Sequence, residues 1–292
     1  MKTTKLILSL QAALFVAAVS TASAHIGYTG RDFGSYTGSD ITRTITNQNV
    51  SSDYGWADAT DANLGDTHKT RAFKFNLASN AWVTLSFQGL AYTAGSNSYT
   101  ALALPAFSLY RGVAAASTHD GSLISIAWRD TNYGTVIDYD TNGVAKTNSV
   151  TEGSLNALGD WKIGSDTGTN FADLSSFTYI GNAASGTTAN YGIPAASLTL
   201  RDGTIVPNAA INGNGNTNGP VSGSFYLGAG DYSVFVGGAN YYGVNTNTPY
   251  GIQGTFTAVP EPSTWALLAV SLVMGGVVIF AKRKKEGQSV QL

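Results

Sequence analysis

A two-residue period is the feature that most constrains this chain. Apolar side chains recur at alternate positions in Ala72-Phe73-Lys74-Phe75-Asn76-Leu77, Trp82-Val83-Thr84-Leu85-Ser86-Phe87, Gly223-Ser224-Phe225-Tyr226-Leu227 and Asp231-Tyr232-Ser233-Val234-Phe235-Val236. Successive strand side chains point to opposite faces, so each run buries one face and wets the other. Ala106 to Arg111 and Ser122 to Trp128 are further strand candidates, and Gly251 to Ala258 reads as the closing strand. Leu77 to Asn80 joins the first two runs and Gly228-Ala229-Gly230 joins the late two, so each pair reads as a hairpin. Tyr232 and Val234 share a face there and are expected in the core. Helix signals are rare, and Glu152 to Leu158 makes two turns at most. The expected fold is all-β, a single antiparallel sandwich of jelly-roll type.

Composition narrows what can hold such a fold together. The 292 residues include no cysteine, which excludes disulfides, thiol catalysis and Cys-ligated zinc. Charged residues make up 12% of the chain, against about 25% in an ordinary domain. That is too few for the flanking positions of a coiled coil. Many of the 34 glycines punctuate strands, and Asn212-Gly213-Asn214-Gly215-Asn216-Thr217-Asn218-Gly219 is a low-complexity run with little to bury.

The two ends are of a different kind. Residues 1–24 read as a secretory signal: Lys2 and Lys5, an apolar stretch from Leu6 to Val19, then Ala22-Ser23-Ala24 as a cleavage site that leaves His25 first. Residues 25–258 form the extracytoplasmic domain. From Val259 the chain reads Val-Pro260-Glu261-Pro262-Ser263-Thr264, then an uncharged run from Trp265 to Ala281, then Lys282-Arg283-Lys284-Lys285. Seventeen residues at about 1.5 Å each span roughly 25 Å, enough for a short transmembrane helix at 265–281. The basic cluster after it stops transfer and stays cytoplasmic, with 286–292 as a tail. Six of the 16 Lys and Arg lie in the two ends, as do two of the 18 Asp and Glu. The formal charge of −2 thus hides a domain near −6 whose acids are Asp except for Glu152. Such a domain is no partner for nucleic acid.

The motif, the span and the basic stop together resemble the PEP-CTERM sorting signal. The resemblance implies export by the secretion translocon in a Gram-negative bacterium that makes exopolysaccharide. It implies transient anchoring in the inner membrane, recognition by an exosortase, and cleavage near Pro260-Glu261-Pro262 that sends the protein to the cell surface or matrix. Pro260 and Pro262 keep the motif extended. Leu227 to Val234 and Pro105 to Arg111 are similar to pre-peptidase C-terminal-type sandwiches, secreted β domains that accompany enzymes without being catalytic.

Several residues are candidates for chemistry. Asp138-Tyr139-Asp140-Thr141-Asn142-Gly143 has the oxygens at positions 1, 3 and 5 and the glycine at 6 of a calcium loop, but Ser149 stands where a bidentate Glu belongs. Calcium at Asp138, Asp140 and Asn142 is weighed there against a plain turn. Asp58, Asp61 and Asp66 ahead of His68 match solvated turn residues. A mature His25 resembles the copper brace of secreted polysaccharide monooxygenases, with His68 or His119 as the second ligand and Tyr28 near in sequence. Asp166-Thr167-Gly168 lacks the second triplet of an aspartic protease, and no Gly-x-Ser-x-Gly elbow occurs. Tyr241 and Tyr242, after Gly237-Gly238, are aromatic residues placed for stacking on sugar rings.

Three functions follow. The leading one is a non-enzymatic surface or matrix protein without a cofactor, sorted by an exosortase and associated with exopolysaccharide or biofilm. The second is a carbohydrate-binding module with a calcium-ordered loop. The third is a secreted copper enzyme using His25.

Overall fold

A computed structural model of the chain describes residues 26–56, 64–115, 124–125, 127–128, 138–139, 145–146, 154–164, 170–185, 197–199, 205–207, 219–239 and 248–261. Strands dominate throughout. In chain order they are β1 (Asp32–Tyr36), β2 (Ile41–Val50), β3 (Leu64–Asp66), β4 (Arg71–Leu77), β5 (Ala81–Gly89), β6 (Tyr92–Ala94), β7 (Asn97–Ala101), β8 (Pro105–Arg111), β9 (Asp138–Tyr139), β10 (Ala145–Lys146), β11 (Ser154–Asn156), β12 (Trp161–Ile163), β13 (Ser175–Ala184), β14 (Ser197–Thr199), β15 (Ile205–Pro207), β16 (Val221–Leu227), β17 (Gly230–Gly238) and β18 (Tyr250–Pro260).

Two sheets carry the fold. The first runs β1-β4-β17-β8-β13-β12, and in the second β18 lies between β2 and β5, with β16 beyond β5 and the β6–β7 hairpin at the start of β18. The pairing is antiparallel except for β1 with β4 and β7 with β18. The expected sandwich is therefore present, with two parallel contacts added at its margins.

The inner faces meet through the alternation read from the sequence. Phe73, Phe75 and Leu77 of β4 bury against Val83, Leu85 and Phe87 of β5 and Phe256 and Ala258 of β18. Aromatic rings form the seam: Phe75 lies 4.8 Å from Phe256 and 5.0 Å from Tyr232, Phe73 lies 5.2 Å from Phe87, and Phe33 lies 5.7 Å from both Phe73 and Phe256. These separations suit edge and offset ring packing. Gly254 makes room for the seam, because a Cβ there would stand 2.5 Å from Phe87 Cε1. Tyr232 and Val234 are in this core, as the phase predicts.

Both expected hairpins are absent. β4 and β5 lie in opposite sheets, and so do β16 and β17. The short links 78–80 and 228–229 are arches that carry the chain across the sandwich. Alternation cannot separate the two cases, since strands side by side and strands face to face bury the same phase. Two more expectations fail. Residues 124–125 and 127–128 are helical, which puts Ile124 and Trp128, four apart, on one side against the core. Ser154–Asn156 is a strand paired with β3, not a helical turn.

A second core lies on the outer face of the first sheet. Tyr110 and Phe235 point away from the sandwich into a cluster with Trp56, Trp161, Phe177, Leu155 and Ile163. Trp161 stacks on Phe177 at 4.5 Å, and Phe235 stands edge-on to both. β8 and β17 are consequently buried on both faces, which is why their burial is nearly continuous rather than alternating. Within this core Trp56 Nε1 donates to Ser108 Oγ at 2.8 Å and Ser108 Oγ donates to Ala157 O at 2.6 Å, while the buried Trp161 Nε1 has no hydrogen-bond partner among the described residues. Along the edge where β1 meets β2, arginines tie the sheets. Arg31 donates to Ala72 O, Gly27 O and Gln48 Oε1, Arg43 to Phe33 O and Ser35 O, and Arg71 to Ser51 Oγ. Burial lowers the pKa of Arg31 and of Arg71.

Two stability outcomes are expected. Ser108→Ala strands the Trp56 donor and the Ala157 carbonyl and costs about 2 kcal/mol in urea denaturation. Gly254→Ala drives a methyl into Phe87 and costs about 1–3 kcal/mol in the same measurement.

Candidate functional site

The end of the sandwich where the chain leaves for its C-terminus holds an exposed aromatic pair. β18 runs through the middle of its sheet to Pro260, opposite Ala81 at the start of β5. Proline has no amide hydrogen, so the ladder stops there. Val259 faces Trp82, and Trp82 faces Tyr226 on β16, giving one row across three strands. The rings of Trp82 and Tyr226 lie 5.5 Å apart at 49°. Trp82 is 47% and Tyr226 44% exposed. Tyr226 Oη donates to Glu261 Oε2 at 2.6 Å and accepts from Asn80 Nδ2 at 3.3 Å. The bond to the carboxylate pushes the phenol pKa up, and the Asn80 bond works the other way. Glu261 is thereby held on the folded domain.

The outer face beyond this pair is a lattice of hydroxyls. One row contains Thr42, Thr257, Thr84 and Ser224, and the next Thr44, Thr255, Ser86 and Ser222. The hydroxyls bond across strands: Thr42 with Thr257 at 3.1 Å, Thr44 with Thr255 at 3.2 Å, and Thr84 with Ser224 at 2.8 Å. Gln88 continues the same phase to the far end of β5. It helps to line a cleft of about 340 Å³ between Gln88–Gly89, Ala101–Ala103 and Gly219–Pro220.

Of the candidates read from the sequence, only Pro260 and Glu261 lie at this end among the described residues. Pro260 ends β18 and Glu261 follows it, while Pro262 and Lys282, Arg283, Lys284 and Lys285 lie outside the described residues, as does the apolar run 265–281. Among the described residues no helix is long and apolar enough to cross a membrane. Asp138 pairs with Lys146 in the two-stranded β9–β10 ladder, and Asp140 and Asn142 lie outside the described residues, as do Tyr241 and Tyr242. His25, His119, Asp58, Asp61 and the Asp166 triplet are likewise outside them. His68 is on an exposed turn, where Asp66 Oδ1 accepts from its backbone amide at 2.7 Å and lies 2.9 Å from its Nδ1. Tyr28 hydrogen-bonds with Ser233 at 2.7 Å and accepts from Ala114 N, and burial raises its pKa. Among the described residues no group of three or more His, Asp and Glu side chains could hold a metal ion.

Trp82 and Tyr226 were not among the expected site residues, although their strands were. The signal was their phase. In β5 the buried positions are Ala81, Val83, Leu85 and Phe87, so Trp82 occupies a solvent position, and Tyr226 does the same in β16.

No protein-family model and no curated protein matches the sequence. Two solved structures are similar in part. One is CorA, a surface-associated copper-binding protein important in copper acquisition by Methylomicrobium album BG8, with 12% identity over 76% of this chain and 98% of that one and a TM-score of 0.41. The other is MopE, a secreted protein of Methylococcus capsulatus in which an oxidized tryptophan facilitates copper binding, with 17% identity over 79% of this chain and 87% of that one and a TM-score of 0.37.

The Tyr226 bond should be measurable. In Tyr226→Phe the segment ending at Glu261 loses its side-chain tether, and amide hydrogen exchange at Ala258, Val259 and Glu261 becomes faster while exchange in β4 and β17 is unchanged.

Proposed function

We propose that the protein is an exported, non-enzymatic surface protein, delivered by its PEP-CTERM-like tail and resident in the exopolysaccharide layer. The observation that carries this reading is the continuity of β18 with the motif. The strand is central in its sheet, and the next residue, Glu261, is exposed at the rim. A folded domain built this way presents the motif without having to unfold.

Chain length sets the working distance. Three residues separate Glu261 from Trp265, so the rim stands at most ~14 Å, four steps of ~3.3–3.6 Å, from the start of the apolar run. A membrane-embedded transpeptidase would meet the motif at the bilayer surface. The apolar run holds the substrate there, and the basic cluster fixes its orientation. After cleavage the sandwich would leave with Glu261 or its neighbours as a new end.

Intact mass and fractionation of the native protein test this. The expected product begins at His25, ends within a few residues of Glu261, and is found at the surface or in the medium. Glu261→Ala is expected to accumulate in the membrane with its tail intact. A wild-type protein that keeps residues 262–292 and stays in the inner membrane overturns the reading.

A further inference from the structure

We infer that the outer face of the second sheet, from the Trp82–Tyr226 pair to the cleft at Gln88, is a binding track for a single chain of an uncharged polysaccharide. The inference deepens the proposed surface role and rests on it for access to glycan; the track itself is argued from the geometry.

Threonine and serine on the wet face of a sheet need no ligand to explain them. Trp82 and Tyr226 do. Each is a large aromatic residue in the solvent phase of its strand, the two are adjacent, and together with Phe171 they are the exposed large hydrophobics among the described residues. Adjacent exposed aromatics mark recognition surfaces. The C–H face of a pyranose ring is apolar and its edge is hydroxylated. Such a ring can stack on an aromatic face while its rim bonds to groups like Asn80 and the Tyr226 hydroxyl.

The face continues from this pair in one direction. Along β5 the outer positions are Trp82, Thr84, Ser86 and Gln88, about 20 Å from first to last at ~3.4 Å per residue. The eight lattice side chains are hydroxyls, each able to donate and to accept, with neighbours in a row about 4.8 Å apart across strands and the two rows about 6.8 Å apart along them. No Lys or Arg stands among them, so an anionic glycan finds no counter-charge, and the Glu261 carboxylate beside Tyr226 repels one. The tilt of 49° between the two rings offers non-coplanar platforms. Those platforms suit successive rings of a twisted single chain rather than the flat face of a crystalline one. A lipid interface is the other surface that draws Trp and Tyr, but it has no use for a hydroxylated face that extends away from the pair to a cleft.

The test is affinity electrophoresis of the full chain, in nonionic detergent, through gels containing hydroxyethyl cellulose, dextran, galactomannan or alginate. At least one neutral polymer is expected to retard the wild type, and alginate is not. Trp82→Ala and Tyr226→Ala are each expected to weaken retardation about tenfold, the loss of one stacking platform. Tyr226→Phe keeps the platform and loses only the hydroxyl, so it should weaken retardation less than Tyr226→Ala does. Ser224→Glu places a charge in the track and should also weaken retardation, while Phe171→Ala, exposed elsewhere, should not. Equal melting temperatures show that each variant is folded. The inference is overturned if none of the three neutral polymers retards the protein, if alginate retards it more strongly, or if Trp82→Ala runs like wild type. It is overturned equally if Trp82 serves binding to phosphatidylcholine vesicles and not to glycan. Tail processing is scored separately by mass. A chain cut near Glu261 that no neutral glycan retards refutes the track alone, and a retarded chain that is never cut refutes the sorting alone.

Discussion

The ring-against-ring seam between the two sheets is the contact on which the rest of the structure depends. Phe33, Phe73, Phe75, Phe87, Phe107, Tyr232 and Phe256 come from six strands and meet at centroid distances of 4.8–5.7 Å. With no cysteine in the chain, no covalent staple fixes sheet spacing, so the volume and orientation of these rings must. Gly254 shows how tight the fit is: a single added methyl would collide with Phe87. Once the seam sets the spacing, the register of β18 against β2 and β5 follows, and with it the row that aligns Val259, Trp82 and Tyr226.

Part of this was legible in the sequence. Period-two alternation located β4, β5, β16 and β17 and assigned Tyr232 and Val234 to the core, and the further strand readings at Ala106–Arg111 and Gly251–Ala258 fall on β8 and β18. It could not tell an arch from a hairpin. Phe73 and Val83 would be buried either way, and the partner of each strand is decided by contacts far away in the chain. The second core was hidden for a related reason. Tyr110 and Phe235 occupy what alternation marks as the wet phase, and what covers them comes from Trp56, Trp161 and Phe177, distant in sequence and without a periodic signal.

The surface follows the same logic in reverse. An apolar residue out of phase is either covered by remote chain or left for a partner. Phe235 is the first case and Trp82 the second, and the local sequence of the two is equally uninformative about which is which. The hydroxyls of the lattice alternate within their own strands, as Thr42 and Thr44, Thr84 and Ser86, Ser222 and Ser224, Thr255 and Thr257, although β2 was not among the strands read from the sequence. Only strand order puts these pairs side by side on one uncharged face.

The position of β18 also decides how the domain meets force. In a chain held by its tail, tension enters at Glu261 and runs along a strand flanked on both sides by antiparallel neighbours. Ladder bonds lie perpendicular to such a pull, so they are loaded together, in shear, instead of being opened one by one as in a peeled edge strand. A pull on that end would therefore fall on the most extensively paired strand of the sheet.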